Sequence, residues 1–216
     1  LRELVYVVSV SESHNRGNVR QSVEASLAGL GAIVERLHER GLQGAVCLRL
    51  DLGTSFDCPY EGPIGWQQVD AVLDKARRAV RDVAMEVALC DTTGRASPYQ
   101  VADHFTRLRE RHDDPRLTWA FHGHDTYGMG VANALCAIHH GATALDAATA
   151  GLGGCPFAPG ATGNTATEDL LYALQGGGVH TGIDLPRLLE AADLIAALPG
   201  GQTASHLSNV PRERVG

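Results

Sequence analysis

Hydrophobic positions along this chain follow two spacings in turn. Short runs rich in β-branched residues, the first covering residues 4–10, alternate with longer stretches whose apolar positions fall three or four apart. The first run predicts a buried strand that opens into a polar loop over residues 11–15. A helix over 18–40 follows, carrying Val19, Val23, Leu27, Leu30, Ile33, Val34 and Leu37 on one side, with Gly41 as its stop. The same reading gives strands over 44–52, 83–89, 118–121 and 144–150. It gives helices over 65–81, from Pro98 to the charged turn at 109–114, and over 129–140, 167–175 and 184–198. After residue 199 the signals weaken into a C-terminal tail.

Strand followed by helix, repeated five times without a long linker, is the signature of parallel βα units. An open doubly wound sheet and a closed barrel both satisfy that pattern. Polar residues after strand upon strand favour the barrel: Ser11 and Glu12, Asp51, Asp91, His122 and His124, then Cys155 and Asn164. Residues so scattered in sequence converge on the C-terminal face of a (β/α)8, or TIM, barrel. The expectation is an α/β chain forming one catalytic domain over 1–216, with 199–216 as its tail. A full barrel has eight units and about 250 residues, so this chain, with five, reads as N-terminally incomplete.

Composition narrows the functional classes. At 44% hydrophobic and 20% charged, 216 residues can bury a sizeable core. A net charge of −7 argues against a nucleic-acid groove or an anionic membrane surface, and no apolar run is long enough to span a bilayer. Cys47, Cys58, Cys90, Cys136 and Cys155 are odd in number and lack C-x-x-C spacing, which fits a reducing compartment and hence the cytoplasm.

The stretch from Phe121 to Gly130 holds the first candidate chemistry. His122 and His124 alternate at a strand end, so both imidazoles share a face and can meet one ion, unless they merely hydrogen-bond in the barrel mouth. Asp125 is a plausible orienting partner for such an imidazole, and Asn164 could add an amide oxygen. Two imidazoles with oxygen donors suit Mn²⁺, Mg²⁺ or Zn²⁺, although the carboxylate usual in such sites is not evident. Cys155 alone among the cysteines sits in a glycine-rich loop, suiting either a mobile lid that carries a reactive thiol or an ordinary tight turn. Asp91 could line the site or simply cap the next turn. His139 and His140 read as a helix C-terminus, and the arginines at 77, 78, 81, 107, 109 and 111 as solvated helix faces.

Taken together, the stretches Asp57-Cys-Pro-Tyr-Glu-Gly62, Cys90-Asp-Thr-Thr-Gly94, His122-Gly-His-Asp-Thr-Tyr-Gly128, Gly151-Leu-Gly-Gly-Cys-Pro-Phe-Ala158 and Gly160-Ala-Thr-Gly-Asn164 resemble the 3-hydroxy-3-methylglutaryl-CoA (HMG-CoA) lyases. That family belongs to a wider group of metal-dependent barrel lyases and synthases. The resemblance implies His122, His124 and Asn164 as metal ligands, Cys155 as the catalytic thiol, His122 also in proton transfer and Asp91 lining the site. It further implies Mg²⁺ or Mn²⁺, an acyl-CoA thioester as substrate, acetyl-CoA and acetoacetate as products, and a homodimer. The family's Arg-Asp motif on its first strand has no counterpart here. The alternatives are a citramalyl-type lyase, a Claisen-type synthase disfavoured by the Cys155 loop, and a truncated barrel acting only in association.

Overall fold

The computed structural model describes residues 2–154, 163–199 and 203–215. Its main sheet has five strands, β1 (Glu3–Ser9), β2 (Cys47–Gly53), β5 (Met85–Asp91), β6 (Leu117–Gly123) and β7 (Ala144–Asp146), all parallel and adjacent in chain order. A short antiparallel pair, β3 (Asp57–Cys58) and β4 (Gly62–Pro63), projects from the loop after β2. The helices are α1 (Glu12–Val19), α2 (Val23–Glu39), α3 (Trp66–Val80), α4 (Pro98–Arg111), α5 (Gly130–His139), α6 (Thr167–Gly176) and α7 (Leu185–Ala196). A sheet whose order never reverses, with right-handed crossovers throughout, puts every crossover helix on the same face. That excludes the doubly wound alternative and gives an arc of a βα barrel.

Local signals set the helix boundaries. Ser22, Ser97 and Asp184 cap α2, α4 and α7 by accepting from backbone N–H groups, and Pro98 and Pro186 occupy first-turn positions. The single helix expected over 18–40 is two. Ser11 accepts from the His14 N–H and starts α1 within the expected loop, and Arg20, at φ +58°, ends it before Ser22 starts α2. The strand expected over 144–150 stops at Asp146, and Ala150 takes φ +59°.

Alternation divides the strands between two environments. Leu48, Leu50, Leu52, Val87, Leu89 and Phe121 face the helices and are buried against Leu30, Leu73, Phe105 and Leu108. The concave face carries Arg49 and Asp51 on β2, Glu86, Ala88 and Cys90 on β5, Ala120 and His122 on β6, and Ala144 and Asp146 on β7. Beyond α7, Ser205 Oγ and the N–H groups of His206 and Leu207 donate to the Asp169 carboxylate, so the described tail packs against α6 and α7.

Leu50 has no exposed surface, so Leu50→Ala should cost about 2–5 kcal/mol in chemical denaturation. Leu194→Ala, at a side chain 71% exposed, should change stability by about 0.5 kcal/mol or less in the same measurement.

Candidate active site

The C-terminal strand ends bring His122, His124, Asn164 and Asp91 together. The last turn of β6 places the two imidazoles edge to face, with ring centroids 5.2 Å apart. Asn164 forms a bridge to His124 across the loop, and Thr165 N–H donates to Gly123 C=O, so this segment runs beside the end of β6. Among the described residues the Asn164 Oδ1 atom is buried without a hydrogen bond, while its amide nitrogen donates to Leu152 C=O.

Both rings have one nitrogen committed. His124 Nδ1 lies 2.9 Å from Thr92 C=O and 3.1 Å from Asp91 C=O, and His122 Nδ1 lies 3.2 Å from the Asp146 carboxylate. Carbonyls and carboxylates only accept, so these contacts require Nδ1–H on both rings, and an imidazole so engaged keeps a lone pair on Nε2 in its neutral form. Burial and the neighbouring His122 pull the His124 pKa below its ordinary value, which favours the neutral, ligating form. Two imidazoles in their neutral forms, with an amide oxygen that has no hydrogen bond among the described residues, fit a divalent cation.

Asp125, expected to orient an imidazole, does something else. Its carboxylate accepts from the Gly130 N–H at 2.6 Å and fixes the start of α5. The acidic partner of His122 is instead Asp146, one strand away, where register sets it directly beside the histidine. Asp146 belongs to a cluster that motif reading missed. Arg49 reaches it with two guanidinium nitrogens, donates to Asp51 at 2.6 Å, and lies 3.3 Å from Glu86. Burial works to raise the Asp146 pKa, but hydrogen bonds from His122 and Arg49 hold it at about 2. The sequence signal was available, because Arg49 and Asp51 interrupt an otherwise apolar strand at alternate positions.

Asp91 is fully buried at the end of β5. One carboxylate oxygen accepts from Ala96 N–H, so the capping reading holds for that atom. The other oxygen has no partner among the described residues. Burial pushes the Asp91 pKa up to about 7 against the backbone N–H groups that oppose it, with Asp57 adding to the rise.

Cys155 lies outside the described residues, but the stems of its loop do not. Gly163 adopts φ +127°, and a Cβ there would fall 2.0 Å from Gly151 C=O. Close backbone approach, besides any mobility, therefore requires glycine here. Of the arginines expected to be solvated, Arg77 is half-buried, bonding His112 and Asp114, and Arg111 pairs with Asp70. Asp70, Asp74 and His112 are spaced to hold an ion on the outer helical layer, but Asp70 is already engaged by Arg111 and His112.

A βα barrel arc with two histidines of an H-x-H pattern at its mouth defines the class of βα-barrel proteins that carry a candidate metal site at the strand ends. Residues 1–195 match the HMGL-like family model. The chain is 36% identical over 207 residues to the mitochondrial hydroxymethylglutaryl-CoA lyase of Mus musculus, 37% over 210 residues to the cytoplasmic 3-hydroxy-3-methylglutaryl-CoA lyase of Danio rerio, and 38% over 200 residues to the (R)-citramalyl-CoA lyase of Chloroflexus aurantiacus. Those alignments cover 96%, 97% and 93% of this chain but only 61%, 60% and 60% of the relatives. An HMG-CoA lyase from Acinetobacter baumannii, solved with coenzyme A and 3-methylmalate, superposes with a TM-score of 0.85 at 37% identity, over 99% of this chain and 67% of that one. The chain belongs to the HMGL-like family and shares its TIM-barrel fold, spanning about 60% of the length of these curated relatives. Among the described residues no helix is long and apolar enough to cross a membrane.

The raised Asp91 carboxyl gives a stability prediction. A folded-state pKa of about 7 against an ordinary 3.8 means that the folded protein keeps a proton that the unfolded chain releases. Stability should therefore fall as pH rises from about 4 to about 7. Asp91→Asn should flatten that part of the curve when thermal midpoints are compared across this range; an unchanged slope would exclude Asp91 as its source.

Proposed function

We propose that this chain carries the catalytic mouth of a divalent-metal-dependent carbon-carbon lyase that cleaves HMG-CoA to acetyl-CoA and acetoacetate. The observation that carries the reading is the convergence of two imidazoles, each with Nδ1 engaged, and one buried amide oxygen with no hydrogen bond among the described residues, at the end of a barrel strand. His122, His124 and Asn164 would hold Mg²⁺ or Mn²⁺. When bound, the ion supplies Lewis acidity, making the substrate's C3 hydroxyl easier to deprotonate.

Asp91 and His122 handle the hydroxyl proton. Asp91 suits that role because a group with a pKa of about 7 exchanges protons at neutral pH without a large penalty in either direction. As the hydroxyl becomes the ketone of acetoacetate, the C2–C3 bond breaks and its electron pair moves onto the acetyl thioester as an enolate. Cys155 then delivers a proton to C2 and acetyl-CoA leaves. Contacts of Gly151, Leu152 and Gly153 with Asn164 support assigning Cys155, two residues further on in sequence, to the same site. Dimer formation, a cytoplasmic location and a place in leucine breakdown and ketone-body formation belong to the same proposal. Free thiols at Cys47, Cys58, Cys90 and Cys136 support the reducing compartment.

A second reading, cleavage of citramalyl-CoA, is favoured by the 38% identity to the Chloroflexus enzyme. The same ligands and proton transfers serve both substrates, which differ in the groups on the carbon that becomes the ketone.

Acetyl-CoA release from HMG-CoA and from citramalyl-CoA, measured with Mg²⁺ on the protein at its natural length, distinguishes the two. Preferred turnover of HMG-CoA is expected, and turnover of neither would sink the lyase assignment. Cys155→Ser should lower kcat by about 10²–10⁴-fold, the range of one general acid; an undiminished rate would remove the thiol from the mechanism.

A further inference from the structure

We infer that the Arg49–Asp146 ion pair is a positioning device that fixes both the tautomer and the orientation of His122. The inference rests on His122 as a ligand, and it concerns two residues outside the proposed ligand set.

The geometry is specific. Asp146 stands opposite His122 in the β6–β7 register and accepts from its Nδ1. A lone carboxylate at that spot could swing to other rotamers. Arg49 prevents this by holding both oxygens, Nη1 to Oδ1 at 3.0 Å and Nη2 to Oδ2, in a bidentate fork. Arg49 is itself pinned from the other side by Asp51 at 2.6 Å and Glu86 at 3.3 Å, and only 8% of its surface is exposed. One guanidinium thus ties β2 and β5 to β7.

Small residues make the crossing possible. Ala88, Ala120 and Ala144 occupy successive strands in one register layer of the concave face, directly in line with Asp51. A larger side chain at any of them would stand in the way of an arginine reaching from β2 to β7.

His124 obtains the same commitment differently. Its Nδ1 is held by two peptide carbonyls, Asp91 and Thr92, which the backbone fixes without help. His122 has no such carbonyl among the contacts of its Nδ1, so its alignment depends on a side chain, and that side chain depends on Arg49. Orienting partners of this kind typically change metal affinity by about 10–100-fold when removed.

The test uses the purified protein labelled with ¹⁵N-histidine, metal-free and at a pH where the rings are neutral, with the His122 signals assigned from their loss in His122→Ala. Long-range ¹H–¹⁵N spectra should show His122 protonated at Nδ1 in the wild type and a mixture of tautomers in Asp146→Asn. Mn²⁺ titration by calorimetry should show affinity weakened about 10–100-fold in Asp146→Asn. Arg49→Lys, which keeps the charge but loses the fork, should show a smaller loss with Asp146 still present. It carries the test alone if Asp146→Asn fails to fold by circular dichroism. A wild-type His122 protonated at Nε2, or a folded variant with unchanged tautomer and Mn²⁺ affinity, would overturn the inference. Failure of the metal reading looks different: His122→Ala and His124→Ala would leave Mn²⁺ binding unaltered while the tautomer comparison still stands.

Discussion

The concave face of the sheet is organised around one buried arginine. Arg49 sits among Asp51, Glu86 and Asp146, carboxylates contributed by three different strands, and no apolar packing could hold those charges away from water. Burial works to lower the Arg49 pKa, but its ion pairs outweigh that and hold it above the ordinary value. Glu86 shows the opposite balance: burial raises its pKa, nearby acidic groups add to the rise, and Arg49 only partly offsets it. Loss of the guanidinium would leave three acidic groups facing one another in a poorly solvated space, the situation in which removing one partner of a buried pair typically costs about 3–5 kcal/mol.

The two faces of the sheet divide the work. Packing on the helical face comes from Leu48, Leu50, Leu52, Val87, Leu89 and Phe121, each essentially inaccessible to water. That close-packed layer fixes the strand register. Register in turn fixes which residues on the concave face become neighbours, so His122 meets Asp146 because half-buried Leu145 packs against the core opposite Phe121. The chemistry at the mouth is therefore a consequence of apolar packing on the reverse side.

Much of the candidate site was legible because it is local. The H-x-H pattern on a strand puts two imidazoles on one face by backbone geometry alone, and the structure places them side by side. Fold class was legible for a related reason, since the alternation of strand and helix spacings reports which face of each element is buried. Asp125 was misassigned by the same locality. Adjacency in sequence suggested a partner for the histidines, whereas the chain turns after His124 and spends that carboxylate on the N-terminus of α5. The joined helix over 18–40 failed similarly, because apolar spacing continues across the break that Arg20 and Ser22 introduce.

The sequence by itself determined most of the strands and helices, the family and the candidate ligand residues at the barrel mouth. Each of those depends on residues within a few positions of one another or on a pattern summed along the chain. Only the tertiary structure decided which acid serves which histidine. Arg49 and Asp146 are 97 residues apart in sequence, and no local periodicity encodes their meeting. It arises when parallel strands stack in register and three alanines leave room for one long side chain to cross the face between them.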